Sequence, residues 1–158
     1  MGKTLQEFFE DLSSPIIVCR VKAAIALGKM GNTAAVPALM QATKDENHTV
    51  RDNAAFALGE LGDARAIDTL IHLLQDKHPR VRKSAAKALG LLGHPGAIPH
   101  LGRLVEDLHG IVRRNAVRSL GIIGSLEAVT YVRPYLTDPN PAVKASAKEA
   151  LRKLSVQP

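Results

Sequence analysis

Histidine and cysteine are the side chains of this sequence that would support a metal site or nucleophilic catalysis. The six histidines include no His-x-x-x-His pair and no His-Glu dipeptide. His78 and His109 occupy the position that Asn47 and Asn140 occupy in other parts of a repeating pattern, which favours helix capping over metal binding. Cys19, the single cysteine, stands where valine stands elsewhere and is interpreted as a small buried apolar residue. We therefore predict no metal site, no cofactor and no catalytic residue.

Basic side chains are the other candidates for chemistry, and they are concentrated in one part of the chain. The formal net charge is +6 and the pI is near 9.7. Residues 80–118 contain eight Lys or Arg and only two acidic residues, so this segment accounts for the whole net charge. Such a cluster is typical of a surface that attracts acidic proteins or phosphate groups.

Length and composition limit the class of protein that carries these residues. A chain of 158 residues with 46% hydrophobic residues has the size of one folding unit that needs no metal or disulfide for stability. A single cysteine excludes a disulfide-built secreted scaffold. No apolar run approaches the roughly 20 residues that span a bilayer, and acidic residues interrupt the first segment. We expect a monomeric cytoplasmic protein.

A 31-residue repeat must position the basic residues. The pattern Leu-Gly-x-apolar-Gly begins at Leu27, Leu58, Leu89 and Leu120. Two further columns recur every 31 residues. The aspartate column consists of Asp45, Asp76, Asp107 and Asp138. The basic column begins at Arg20 and continues with Arg51, Arg82, Arg113 and Lys144. Several columns in register predict five units within one domain spanning 1–158, at about 1–31, 32–62, 63–93, 94–124 and 125–155.

Each unit is predicted to form two helices. In the second unit, Val36, Leu39 and Met40 have the i, i+3, i+4 spacing of a first helix of about 11 residues, and a similar stripe runs from Val50 to Leu61. A glycine ends each second helix, directly before an N-cap residue. In unit one, the first helix is predicted at 4–13 and the second near 14–15. One hairpin cannot bury its apolar stripe alone, so the prediction is an all-α fold, an α-solenoid of five stacked helix-turn-helix repeats.

The unit D-x-x-x-x-V-R-x-x-A-A-x-A-L-G-x-L-G, at 45–62 and 76–93, resembles the HEAT-repeat family. It is most similar to the short HEAT-like class named after phycobilisome (bilin) lyases. The resemblance covers nearly the whole chain, but it implies a fold more than a function. It also implies that each aspartate and the arginine six residues later belong to a structural ladder that joins successive repeats. Lys144 lacks the planar fork of arginine, so the last rung is expected to be weaker.

The outward face of the second helices is predicted to carry the functional surface. A projection at 100° per residue turns Val50, Ala54 and Leu58 toward the core and Phe56 outward. In HEAT-like solenoids the second helices line the concave surface, and the resemblance implies the same here. The predicted groove consists of the basic residues Lys83, Lys87, Arg114 and Arg118 with the apolar residues Phe56, Leu91 and Ile122.

A non-catalytic scaffold that presents this groove to an acidic partner protein is the predicted function. Nucleic-acid binding through the phosphate backbone is the second possibility, although Phe56 is the one groove aromatic available for base stacking. A bilin lyase or lyase-like subunit is the third, and it is implied by the resemblance alone. A solvated face that only keeps the chain soluble remains the simplest interpretation.

The HEAT-like hydroxylases are similar in fold but carry His-Glu just after the repeat arginine. The corresponding dipeptides here are Asp52-Asn53, Lys83-Ser84 and Arg114-Asn115. A di-iron site of that kind is therefore not expected.

Overall fold

The computed structural model describes residues 3–155, and the first two and last three residues of the predicted domain lie outside this range. It contains two sets of helices. The first helices are α1 (Leu5–Asp11), α3 (Val36–Ala42), α5 (Ile67–Leu73), α7 (Ile98–Leu104) and α9 (Ala128–Val132). The second helices are α2 (Ile17–Met30), α4 (His48–Leu61), α6 (Pro79–Leu92), α8 (Gly110–Ile123) and α10 (Pro141–Ser155).

Each first helix packs on the second helix of its own unit, and successive second helices pack side by side from α2 to α10. No strand occurs in residues 3–155. The predicted all-α solenoid is confirmed, and its core lies between the two layers of helices, where residues such as Val50, Ala54 and Leu58 are fully buried.

The first helices differ from the prediction in their first turn. In unit two, a 3₁₀ turn at Thr33–Ala35 precedes α3, so the predicted 11-residue helix is a short α-helix with a 3₁₀ entry. Asn32 caps that entry by accepting a hydrogen bond from the backbone N–H of Ala34. Units three and four begin in the same way, at Ala64–Ala66 and Pro95–Ala97. The same kind of cap, from Asn47 to the N–H of Thr49, precedes the α-helix α4, so the cap alone does not determine the helix type.

Unit one departs further from the predicted boundaries. Its first helix begins at Leu5, because Thr4 and Glu7 form a capping box, and it ends at Asp11. Its second helix begins at Ile17, later than predicted. Ile16 takes the N-cap position there and makes no side-chain capping bond.

The turns explain two of the histidines. His78 caps α6, since its Nδ1 accepts a hydrogen bond from the N–H of Arg80 at 3.3 Å, as predicted. The same prediction is wrong for His109, which makes no side-chain capping bond. Its Nδ1 lies 3.3 Å from the Asp107 carboxylate instead. The N-cap residue of α8 therefore makes no side-chain hydrogen bond to the first turn of the helix.

Successive second helices approach one another unusually closely at one glycine column. A Cβ placed on Gly59 would lie 2.7 Å from the Cα of Ala88 on the next helix, closer than van der Waals contact allows. The same close approach joins Gly28 to Ala57, and Gly121 to Ala150. Glycine at this column therefore sets the distance between units. A different glycine ends each of α2, α4, α6 and α8, such as Gly62 with φ of +66°, and supplies the left-handed turn.

Candidate functional site

The aspartate and arginine columns form a ladder between units. Arg51 Nε donates to Asp76 Oδ2 at 2.7 Å and Arg51 Nη2 donates to Asp76 Oδ1 at 3.0 Å, a two-pronged contact with the next unit. Its Nη1 donates to the backbone carbonyl of Asp45, at 2.8 Å. Four such rungs occur in residues 3–155, and they pair Arg20 with Asp45, Arg51 with Asp76, Arg82 with Asp107, and Arg113 with Asp138.

Each rung therefore pairs an arginine with the aspartate 25 residues later. The predicted partner, the aspartate six residues before the arginine, offers that arginine only its backbone carbonyl. The pKa values of three ladder carboxylates, Asp76, Asp107 and Asp138, lie below the usual value for aspartate. Hydrogen bonds from Arg113 hold the pKa of Asp138 below its usual value, and a backbone N–H from Asn140 acts in the same direction. These ionised groups are occupied by one another, so the ladder arginines leave no free charge for a ligand.

Lys144 lies beyond the ladder. It was expected to form the last and weakest rung with Asp138. Arg113 binds that carboxylate instead, with Nε 2.8 Å from Oδ2, and Asp138 is buried. Lys144 forms no ion pair within 4.0 Å in the described part of the chain. The rung it would form needs an aspartate in a following unit.

The seven predicted groove residues all lie on three neighbouring second helices. We call them the second-helix surface, which consists of Phe56 on α4, Lys83, Lys87 and Leu91 on α6, and Arg114, Arg118 and Ile122 on α8. All seven are exposed or half-buried, while the residues between them on α6 and α8 are buried, apart from half-buried Asn115. The second helices thus turn these side chains away from the core.

The basic residues of this surface are not neutralised within residues 3–155. Lys83, Lys87, Arg114 and Arg118 form no ion pair within 4.0 Å there, in contrast to the ladder arginines. The Nε of Arg114 is buried and lacks a hydrogen-bond partner among the described residues. Four uncompensated cations on two adjacent helices give the surface a positive potential.

Lys87 and Phe56 link two helices across the surface. The Lys87 Nζ lies 4.5 Å from the centroid of the Phe56 ring, within the range of a cation–π contact. The contact holds the ammonium above an apolar base and leaves Lys87 exposed. An incoming carboxylate would meet a charge whose position is already restricted.

Apolar side chains project beside the charges. Leu91 is 51% exposed and Ile122 is 50% exposed, although both stand on helices with ample buried positions. Ile122 and Arg118 also line a pocket of about 250 Å³ between α8 and α10, which Ser146, Glu149 and Lys153 complete. The surface therefore combines apolar contact area with charge, as protein-binding surfaces do.

Two features of this site were not predicted. Ser84 on α6 donates a hydrogen bond to Asp52 on α4 and so links the two helices. The second feature is an ion pair between Arg152 and Glu149 at 3.0 Å, whereas the position of Glu149 in the groove column after Arg118 follows from the repeat. The periodicity within one helix does not reveal the contact between Ser84 and Asp52, because these residues are 32 apart and lie on neighbouring helices. Only an alignment of the units places the two positions side by side.

Other chemistry finds little support in the described residues. No group of three or more His, Cys, Asp or Glu side chains in residues 3–155 is placed to hold a metal ion. Cys19 is half-buried, whereas the valines at its position in later units are fully buried. Within the same range, no helix has the length and apolarity needed to cross a membrane.

Comparison with known proteins identifies the repeat. The family model described as HEAT repeats matches residues 5–82, 43–110 and 70–152, which together span nearly the whole chain. No curated protein sequence is similar enough to this one to count as a match.

Solved structures share the fold. The complex of CpcE and CpcF of phycocyanin lyase from Nostoc sp. PCC7120 is 30% identical, with a TM-score of 0.89, and the match covers 100% of this chain and 67% of that one. A designed armadillo repeat protein in complex with the peptide (KR)4 has 20% identity and a TM-score of 0.73, over 95% of this chain and 81% of that one. Human deoxyhypusine hydroxylase has 15% identity and a TM-score of 0.54, over 99% and 86%. The last two likenesses concern the fold alone.

Proposed function

The chain belongs to the HEAT-repeat family, in a HEAT-like class related to the bilin lyases, and we propose that it is a non-catalytic scaffold whose second-helix surface binds an acidic segment of another protein. The observation that carries the proposal is the set of four basic side chains that stand beside exposed Leu91 and Ile122 without an ion-pair partner in residues 3–155. Charge of one sign with apolar contact area favours a partner that offers carboxylates and apolar side chains.

Preorganisation supplies the mechanism. The four charges stand on helices fixed to each other by the ladder and by the glycine contacts, so binding restricts few further torsions of the scaffold. Lys87 already rests on Phe56. A partner therefore meets an arrangement that needs little rearrangement.

Charge reversal tests this proposal. Affinity capture with the native chain is compared with capture by the variant Lys87→Glu, Arg118→Glu, and by the control Lys44→Glu, Lys77→Glu. The control has the same change in net charge at two exposed turn positions away from the surface. We expect acidic proteins captured by the native chain to be retained by the control and lost, by about tenfold or more, from the groove variant. Equal capture by all three would refute the proposed surface.

The same variants distinguish a nucleic-acid ligand. A labelled DNA duplex is titrated with the native chain between low and physiological salt. Phosphate-backbone binding would give an affinity that falls steeply with salt, by a slope that grows with the number of phosphates contacted. If the native chain binds DNA in this way and the variant Lys87→Glu, Arg118→Glu does not, the ligand of the second-helix surface is a nucleic acid and not an acidic protein.

A lyase-like subunit is the second candidate, because the phycocyanin lyase complex matches this chain over its full length at 30% identity. That role predicts that the purified chain, alone or with a second lyase-like subunit, takes up a bilin. Its absorbance spectrum would then change on mixing with the pigment. An unchanged spectrum in both arms would remove this candidate.

A further inference from the structure

Within residues 3–155, one face of α2 is not covered by another second helix. We define the N-terminal edge as Ile16, Cys19, Lys22, Ala26 and Met30, which recur every three or four residues and so lie along one side of α2. Ile16 is 59% exposed and Met30 is 45% exposed. Four of these five side chains are apolar, so the N-terminal edge offers apolar contact area.

The same positions are interior in later units. Ala57, Ala88 and Ala150, which correspond to Ala26, are at most 3% exposed, because the preceding helix covers them. Val50, which corresponds to Cys19, is fully buried, whereas Cys19 is half-buried. The N-terminal edge is thus the receiving half of a unit-to-unit junction.

The junction between α4 and α6 shows which positions of a helix face this half. His48 stacks on His78 with ring centroids 3.7 Å apart. Asp52 accepts the hydrogen bond of Ser84. Gly59 admits Ala88 at a distance that no other residue allows. The donating helix therefore supplies three contacts, from residues i, i+4 and i+11.

The corresponding receiving residues of the N-terminal edge are Ile16, Lys22 and Ala26. Ile16 in place of His78 requires an apolar residue opposite it, and Lys22 in place of Ser84 requires a carboxylate. Ala26 requires glycine, as Ala88 does. We propose that the N-terminal edge docks a helix of a partner protein that carries an apolar residue, an Asp or Glu four residues later, and a Gly seven residues after that.

A second copy of this chain does not satisfy these requirements. Its last helix, α10, has Ala145 where the carboxylate is needed and Arg152 where the glycine is needed, and Lys148 adds another positive charge. Arg152 would collide with α2 at the distance that the glycines allow. Two N-terminal edges facing each other about a two-fold axis would bring the Lys22 side chains together. A second copy of this chain therefore does not fit the N-terminal edge.

A helix with two of the three features is available from the chain itself. The probe is a labelled synthetic peptide with the α4 sequence, His48–Leu61, in which His48→Leu supplies the apolar residue. A hydrocarbon staple joins positions 53 and 57, which face away from the docking side, because a free peptide of this length is barely helical in water. We expect saturable one-to-one binding to the full chain, measured by fluorescence anisotropy.

A charge exchange tests the register. Lys22→Glu in the chain is expected to weaken peptide binding about tenfold, and Asp52→Lys in the peptide is expected to do the same. The two changes together restore binding to within about threefold, because the opposite charges again face each other. Ala26→Leu removes binding, since the added side chain blocks close approach. All of these chain positions are exposed or half-buried, and circular dichroism verifies that the variants fold.

Two controls decide between this edge and other sites. Lys87→Glu, on the second-helix surface, leaves peptide affinity unchanged if the proposal is right. Loss of binding in that variant with none in Lys22→Glu would place the peptide in the groove and overturn the proposal. So would the absence of saturable binding. Sedimentation that shows a dimer of the chain, dispersed by Ile16→Asp, would identify a second copy as the occupant and also overturn it.

Discussion

Two adjacent arginines differ in their contacts: Arg113 forms an ion pair within the ladder, whereas Arg114 forms none in residues 3–155. Arg113 is tied to Asp138 and to the backbone carbonyl of Asp107. Arg114, one residue on, turns by 100° around α8 and contributes a charge to the second-helix surface. The sequence alone separates them because only Arg113 belongs to the repeat column. It does not reveal the partner carboxylate, because the pairing depends on how neighbouring units stack.

The ladder is expected to stabilise the fold far more than surface ion pairs do. Arg51→Met leaves the Asp76 carboxylate, whose side chain is 9% exposed, without its partner, and should lower the free energy of unfolding by about 3 kcal/mol. Arg152→Met removes an exposed pair with Glu149 and should leave the free energy of unfolding nearly unchanged, because water screens this pair. Urea unfolding followed by circular dichroism measures both. An equal decrease in the free energy of unfolding in both variants would show that the ladder stabilises the fold no more than an exposed ion pair does.

The second helix is the element that both holds the units together and presents the functional side chains. Its buried stripe follows directly from hydrophobic periodicity, which explains why the helices were predictable. The Leu-Gly column was visible as a signature of the repeat, but its role in close packing was not, because a single unit gives no information on the distance to its neighbour. The 3₁₀ entry to the first helices was missed for a local reason, as an N-cap residue is compatible with both helix types.

Gly59→Ala should destabilise the protein, against the intrinsic preference of alanine for helices. The added methyl group would force α4 and α6 apart, at a cost of about 1–3 kcal/mol, which exceeds the gain in helix propensity of about 1 kcal/mol. The reciprocal variant Gly59→Ala, Ala88→Gly moves the space to the other helix and should recover part of the loss. Thermal unfolding of the three proteins tests this, and stabilisation by Gly59→Ala would refute the packing role.

At the scale of the whole molecule, stability is spread along a line of units that contact mainly their neighbours. The fold was predictable for this reason, since each unit repeats one local pattern with few contacts between distant parts of the chain. The partner of the second-helix surface was not predictable, because exposed side chains are not constrained by packing within the protein. Their column positions indicate where they lie, and their types indicate only the class of ligand.

Backbone amide exchange should follow this linear arrangement. The first helix, α1, has no fully buried residue, whereas α4 and α6 have seven each. Amides of α1 should therefore exchange fastest and those of α4 and α6 slowest, since local opening costs least where few contacts are lost. Hydrogen–deuterium exchange with mass spectrometry resolves these helices. Equal protection along the chain would show that the solenoid opens only as one cooperative body.

The recurrence of one glycine-to-small-residue contact at every junction has an evolutionary consequence. The contact is the same from Gly28 with Ala57 to Gly121 with Ala150, so an in-frame duplication of 31 codons inserts a unit whose two sides already match its new neighbours. Deletion of a unit rejoins equally compatible sides. Such a gene can change the length of its product in whole steps without redesigning a junction.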